Sequence, residues 1–112
     1  MKSICVRVAL KRGTTASVRE WMRTLMDRRT ETLESLKNEG VVVESAFLES
    51  LPEGDFLIYY MRAHDIDKAL AVFQNSHLAI DAYHKECWGK YCSESTHLEQ
   101  LLDLDTLQTK KF

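Results

Sequence analysis

Four stretches of the chain alternate apolar and polar residues with the two-residue period of a β-strand. They cover residues 3–11, 41–50, 56–63 and 97–104. A proline and a glycine at 51–55 predict a turn, so the second and third strands should run antiparallel. The pattern therefore predicts a sheet of four strands.

Two stretches between these strands have the three-to-four-residue spacing of helices. The first begins near Ser17, which forms a capping-box spacing with Glu20, and ends at Gly40, a residue suited to a left-handed C-terminal cap. The second, residues 65–91, is interrupted at 74–76 and is predicted as two helices. Asp65 should cap one of them and Ser76 the other.

The resulting order over residues 1–112 is strand, helix, strand, strand, helix, strand, in a single domain. With right-handed crossovers this order predicts an α+β, ferredoxin-like βαββαβ sandwich, whose helices cover one face of a four-stranded antiparallel sheet. Both sides of the third strand are largely apolar, and the pattern leaves open which side faces the helices. An uncovered apolar face usually marks an interface. We therefore expect a homodimer that packs sheet against sheet.

This architecture resembles the dimeric α+β barrel superfamily along nearly the whole chain. The segment SHLAIDAYHKECWGKYC, which follows DIDKAL, resembles a small bacterial family without an assigned activity inside that superfamily. Other members are cofactor-free monooxygenases of polycyclic aromatics, lactone isomerases, haem-handling enzymes and stress-response proteins. The resemblance implies a fold and a dimer rather than one reaction. No catalytic motif of the monooxygenases transfers residue by residue.

Composition excludes several classes of partner. The formal net charge is −2, and no basic tract is long enough to predict nucleic-acid binding. No stretch is long enough to span a bilayer, and the N-terminus lacks the pattern of a secretory signal. Cys5, Cys87 and Cys92 contain no C-x-x-C pair. We expect a cytoplasmic protein with reduced thiols and with neither nucleic acid nor membrane as a partner.

The candidate chemistry lies on the last predicted helix, where His77, Asp81 and His84 recur along one stripe that ends at Trp88. Histidine titrates near neutrality, so one hypothesis makes His84 or His77 an acid–base group that Asp81 orients. The alternative is a structural cluster in which Asp81 accepts a hydrogen bond from an imidazole. We expect no metal, because the two histidines are about 10 Å apart along a helix.

We expect a pocket between helices and sheet, or at the mouth of the half barrel, without a bound cofactor. The predicted substrate-binding residues are Tyr59, Arg7, Trp88, Tyr83 and Met61. Arg7 could bind a substrate carboxylate or pair with Glu44.

Two hypotheses of function follow from these expectations. In the first, the protein is an enzyme that acts on a small apolar or aromatic metabolite by proton transfer or oxygenation, as a cofactor-free monooxygenase or an isomerase-like enzyme would. In the second, it is a non-catalytic dimer with a ligand-binding, stress-response or structural role.

Overall fold

The computed structural model describes residues 1–107, which form four strands and four helices. In chain order these are β1 (Lys2–Leu10), α1 (Thr15–Asp27), α2 (Arg29–Glu39), β2 (Val41–Leu51), β3 (Gly54–Ala63), α3 (Ile66–Gln74), α4 (Ala79–Tyr91) and β4 (Cys92–His97). The strands form one sheet in the order β2-β3-β1-β4, and every neighbouring pair is antiparallel. The predicted ferredoxin-like α+β fold is confirmed.

The helices cover the sheet face that carries Val8 and Leu57. These two residues pack with Val18 and Trp21 of α1 and Cys87 of α4 in one buried cluster. A second cluster joins β2 and β3 to α3 through Val41, Met61, Ala63 and Ala69. The opposite face of β3 therefore presents Phe56, Ile58, Tyr60 and Arg62, and we call this side of the sheet the open face.

The first helical stretch differs from its prediction in two ways. It is broken at Arg28, which ends α1 and precedes α2, so the predicted single helix is wrong. Its N-terminal cap is Thr14, whose hydroxyl donates to the Lys11 carbonyl at 2.6 Å, and not a capping box at Ser17. Gly40 has φ of +75° and does form the expected left-handed cap after α2.

The second helical stretch agrees more closely with its prediction. Two helices are present, and the Asp65 carboxylate caps α3 by accepting from the Lys68 amide at 3.1 Å. The cap position of α4 is Leu78, two residues later than the predicted Ser76. Ser76 instead accepts from the Leu78 amide at 3.1 Å and donates to Asp81.

The fourth strand lies earlier than predicted. It begins at Cys92, directly after α4, and ends at His97, where the prediction placed its start. Pairing with β1 runs from Cys92 opposite Leu10 to His97 opposite Val6, and it decides the position. Residues 98–107 continue without a strand along the open face, where the Arg62 guanidinium pairs with Asp103 at 2.5 Å and Asp105 at 2.7 Å.

No helix among residues 1–107 combines the length and the apolar character that crossing a membrane requires.

Candidate functional site

A cavity of about 550 Å³ lies between the helices and the covered face of the sheet. Its size falls within the range of about 300–1,000 Å³ that is usual for small-molecule sites. Most of the wall is apolar and comes from β1, β3 and all four helices: Ile4, Val6, Leu25, Leu36, Met61, Ala69, Leu70, Phe73, Ile80 and Trp88. The polar groups in the wall include Ser35, Glu39, Glu44, Tyr59, Asp81 and His84. An apolar cavity with a few polar groups is suited to a small organic ligand.

Four side chains from four different elements form a hydrogen-bonded chain beside this cavity. The Trp21 indole N–H donates to His84 Nδ1 at 3.0 Å, and His84 Nε2 lies 3.2 Å from the Tyr59 hydroxyl. The Tyr59 hydroxyl donates to Glu44 Oε2 at 2.5 Å. We call these residues the Trp21–Glu44 chain. Because α1, α4, β3 and β2 each supply one member, only the assembled fold creates it.

Burial controls the protonation of this chain. It lowers the pKa of His84 to about 4, against a smaller opposing effect of the Asp81 charge. Burial likewise raises the pKa of Tyr59 well above its ordinary value, and the neighbouring Glu44 carboxylate adds to the effect. The pKa of Glu44 is raised by burial and partly restored by the hydrogen bond from Tyr59. At neutral pH His84 is therefore an uncharged imidazole.

A second polar cluster lies on the helical side of the same cavity. Ser35 Oγ is 2.9 Å from Glu39 Oε2 and 2.5 Å from Asp81 Oδ1, and Ser76 Oγ donates to Asp81 Oδ2 at 2.5 Å. Burial raises the pKa of Glu39 to about 7. Since Ser35 has one proton, a protonated Glu39 that donates to Ser35, which then donates to Asp81, satisfies both contacts. We call Ser35, Glu39, Ser76 and Asp81 the serine–carboxyl cluster.

The structure brings five of the eight predicted site residues to the cavity wall: Tyr59, Met61, Asp81, His84 and Trp88. His84 does not form the expected hydrogen bond to Asp81, because its two ring nitrogens contact Trp21 and Tyr59. The Asp81 oxygens contact Ser35 and Ser76 instead. His77 is exposed in the loop before α4 and is not part of the wall. The stripe predicted along one helix is therefore divided between the cavity and the surface.

Arg7 and Tyr83 also lie outside the cavity wall. Arg7 is on the open face, where Nε is 3.1 Å from Glu49 Oε1 and the guanidinium lies 3.7 Å from the centre of the Phe56 ring. The predicted pair of Arg7 with Glu44 is wrong, because Glu44 points to the opposite side of the sheet. Tyr83 packs against the buried cluster that includes Val8.

Glu39, Ser35 and Trp21 were not among the site residues predicted from the sequence. Glu39 precedes the Gly40 cap and has the pattern of an ordinary surface charge at a helix end. Glu44 did give a visible signal of a buried polar group at the site, because its charge stands within an apolar strand. Within residues 1–107, no three His, Cys, Asp or Glu side chains converge closely enough to hold a metal ion.

The fold and the cavity together define a ferredoxin-like α+β domain with a buried polar network beside a cavity of small-molecule size. The sequence model of DUF6176, a family of unknown function, matches residues 1–109. The chain belongs to this family.

Comparison with solved structures supports the fold. The chain is similar to a protein of Nitrosomonas europaea described as a "putative antibiotic biosynthesis monooxygenase", with 14% identity and a TM-score of 0.56 over 91% of this chain and 100% of that one. It is also similar to a Bacillus cereus protein with the same description, with 16% identity and a TM-score of 0.44 over 86% of each chain. The first likeness confirms the predicted ferredoxin-like fold. The comparison with curated proteins gave no match.

Proposed function

We propose that the protein binds a small, mainly apolar or aromatic molecule in the cavity and transfers a proton to or from it. The observation that carries this proposal is the hydrogen bond of 2.5 Å between Tyr59 and Glu44 in the wall of a mostly apolar cavity. A buried carboxylate with a raised pKa is a stronger base than a solvated one, and enzymes use such groups for proton abstraction.

In this proposal Glu44 accepts the proton, and Tyr59 and His84 support it through the Trp21–Glu44 chain. The sequence hypothesis had made His84 the base. Its two ring nitrogens already contact Trp21 and Tyr59, and its pKa of about 4 makes it a weak acceptor. Met61 and Trp88 would contact the apolar part of the ligand.

The reaction class is removal of a proton from carbon next to a carbonyl group. The C–H electron pair stays on the substrate as an enolate, and Glu44 holds the proton. Return of the proton at another carbon is an isomerisation. Reaction of the enolate with O₂, followed by loss of water, is a cofactor-free oxygenation. The description of the Nitrosomonas europaea protein as a monooxygenase supports testing the second outcome here.

Anthrone is a suitable probe, because it is a flat apolar ketone with an acidic methylene group. Under O₂ its conversion to anthraquinone and water is followed by absorbance above the rate without protein. Under argon in D₂O, exchange of the methylene protons is followed by NMR. We expect Glu44→Gln to lower either rate about 100-fold, the lower range for loss of a general base.

Glu49→Gln is the matched control, because Glu49 lies on the same strand as Glu44 and on the open face. This control should retain the wild-type rate. Equal rates in Glu44→Gln and Glu49→Gln would refute the assignment of the base.

A second candidate is non-catalytic binding of the same class of ligand. It is favoured by the pairing of both His84 nitrogens within the protein, which leaves the imidazole without a free lone pair for a substrate. This candidate predicts that anthrone shifts the thermal unfolding midpoint without any protein-dependent exchange or oxidation.

We further propose that two copies pack through their open faces. Phe47 is 62% exposed on this face, and Val43, on the same strand and the same face, is 37% exposed. Phe47→Arg should yield a monomer in native mass spectrometry. Met26→Arg is the control, because Met26 is 66% exposed on α1, away from the open face, and this variant should remain dimeric. Wild-type protein that is monomeric at micromolar concentration would contradict the proposal.

A further inference from the structure

The Tyr59 hydroxyl has one proton and two possible acceptors. Glu44 Oε2 lies 2.5 Å away on one side, and His84 Nε2 lies 3.2 Å away on the other. A neutral imidazole has its proton on one nitrogen and a lone pair on the other. The tautomer of His84 therefore decides whether Tyr59 can donate to His84 or must donate to Glu44.

The Trp21 indole N–H selects the tautomer of His84. Its indole N–H lies 3.0 Å from His84 Nδ1, and an indole N–H is a donor only. His84 Nδ1 must then be the acceptor, which places the imidazole proton on Nε2. The Nε2–H group donates to the Tyr59 oxygen, and the Tyr59 proton goes to Glu44. We propose that Trp21 is a positioning residue that fixes His84 as the Nε2–H tautomer and so directs the Tyr59 proton to Glu44.

The indole is held in place by its surroundings. Trp21 is 1% exposed, and its ring meets Trp88 edge-on with centroids 5.9 Å apart and Tyr91 at 6.2 Å. Rotation of the ring away from His84 would leave a buried N–H without an acceptor, which is unfavourable. The packing therefore leaves the Trp21–His84 hydrogen bond as a stable part of the core.

The tautomer can be measured without any ligand. In protein with ¹⁵N-labelled histidine and tryptophan at pH 7, long-range proton–nitrogen correlation should show the His84 proton on Nε2. A scalar coupling across the hydrogen bond should connect Trp21 Nε1 with His84 Nδ1. The variant His84→Gln assigns the signals among the four histidines.

Trp21→Phe removes the donor and should convert His84 to a mixture of tautomers or to the Nδ1–H form. Trp88→Phe is the matched control, because its indole lies 6.2 Å from the same imidazole, edge-on, and should leave the Nε2–H form unchanged. A wild-type protein with Nδ1–H, or an unchanged tautomer in folded Trp21→Phe, would overturn the proposal. If Trp21→Phe does not fold, the wild-type protein provides the test. The coupling between Trp21 and His84 supports the proposal, and its absence overturns it.

The catalytic consequence rests on the proposed function. There, Trp21→Phe should lower the anthrone rate about tenfold with KM unchanged, while Trp88→Phe changes KM. Because the tautomer is read without ligand, a complete lack of anthrone turnover would refute the proposed function and leave the assignment of Trp21 intact.

Discussion

Glu39 is the last residue of α2, and replacing it by glutamine tests how the serine–carboxyl cluster is protonated. Its side chain is buried, with Oε2 2.9 Å from Ser35 Oγ, and burial raises its pKa from 4.5 to about 7. Glutamine keeps a donor for Ser35 and removes the ionisation. The substitution therefore changes the proton balance while it preserves the contact.

The expected effect follows from the difference between the folded and unfolded pKa values. Below pH 4.5 Glu39 is protonated in both states, and its contribution to stability is fully present. As pH rises from 4.5 to about 7, the unfolded chain releases this proton while the folded chain retains it, so stability is lost. A difference of about 2.5 pKa units corresponds to about 3 kcal/mol. Glu39→Gln avoids this loss, so it should match the wild type near pH 4 and exceed it by about 3 kcal/mol at pH 8.

Urea unfolding, followed by tryptophan fluorescence at pH 4 and pH 8, measures the difference. Effects of His84 are common to both proteins and cancel in the comparison. Glu31→Gln on the same helix is a control of opposite sign, because the hydrogen bond from the Arg28 guanidinium lowers the pKa of Glu31. That variant should lose stability at pH 8. If Glu39→Gln gains no more at pH 8 than at pH 4, the assignment of a protonated Glu39 is refuted.

Three further predictions concern other buried groups. In the Glu39→Gln background, the free energy of unfolding should fall as pH falls from about 6.5 to 4, because the folded state resists protonation of His84. Adding His84→Gln should flatten this pH dependence in urea titrations. Iodoacetamide at pH 8 should modify Cys5 before Cys92, because burial raises the pKa of Cys92 to about 11; equal labelling in mass spectra would contradict this. Arg62→Ala should lower the free energy of unfolding and speed proteolysis within residues 98–107, since it removes the ion pairs of Arg62 with Asp103 and Asp105. Lys90→Ala, which removes an exposed ion pair with Glu86, should change either quantity little.

Much of the fold was predictable because its signals are local. Strand alternation in β1, the Pro-Gly turn before β3, the Asp65 cap and the Gly40 cap each depend on a few neighbouring residues. Their order restricts the chain to very few topologies. The break at Arg28 was not predicted, because a polar run is compatible with both a solvated helix and a helix end.

The position of β4 shows the limit of local pattern. Residues 97–104 alternate as a strand would, and Cys92–His97 form the strand instead because they pair with β1. In the same way, both faces of β3 are apolar, so only packing against the helices decided that Tyr59 faces the cavity and Tyr60 the open face.

The sequence by itself determined the order of elements, the ferredoxin-like topology and the importance of the helix that carries His84, because these follow from spacing along the chain. Only the tertiary structure decided the partners of His84. Trp21 is 63 positions away from it and Tyr59 is 25, and Ser35 is 46 positions from Asp81. Contacts over such separations leave no periodic signal, since each member is compatible locally with an ordinary core or surface residue.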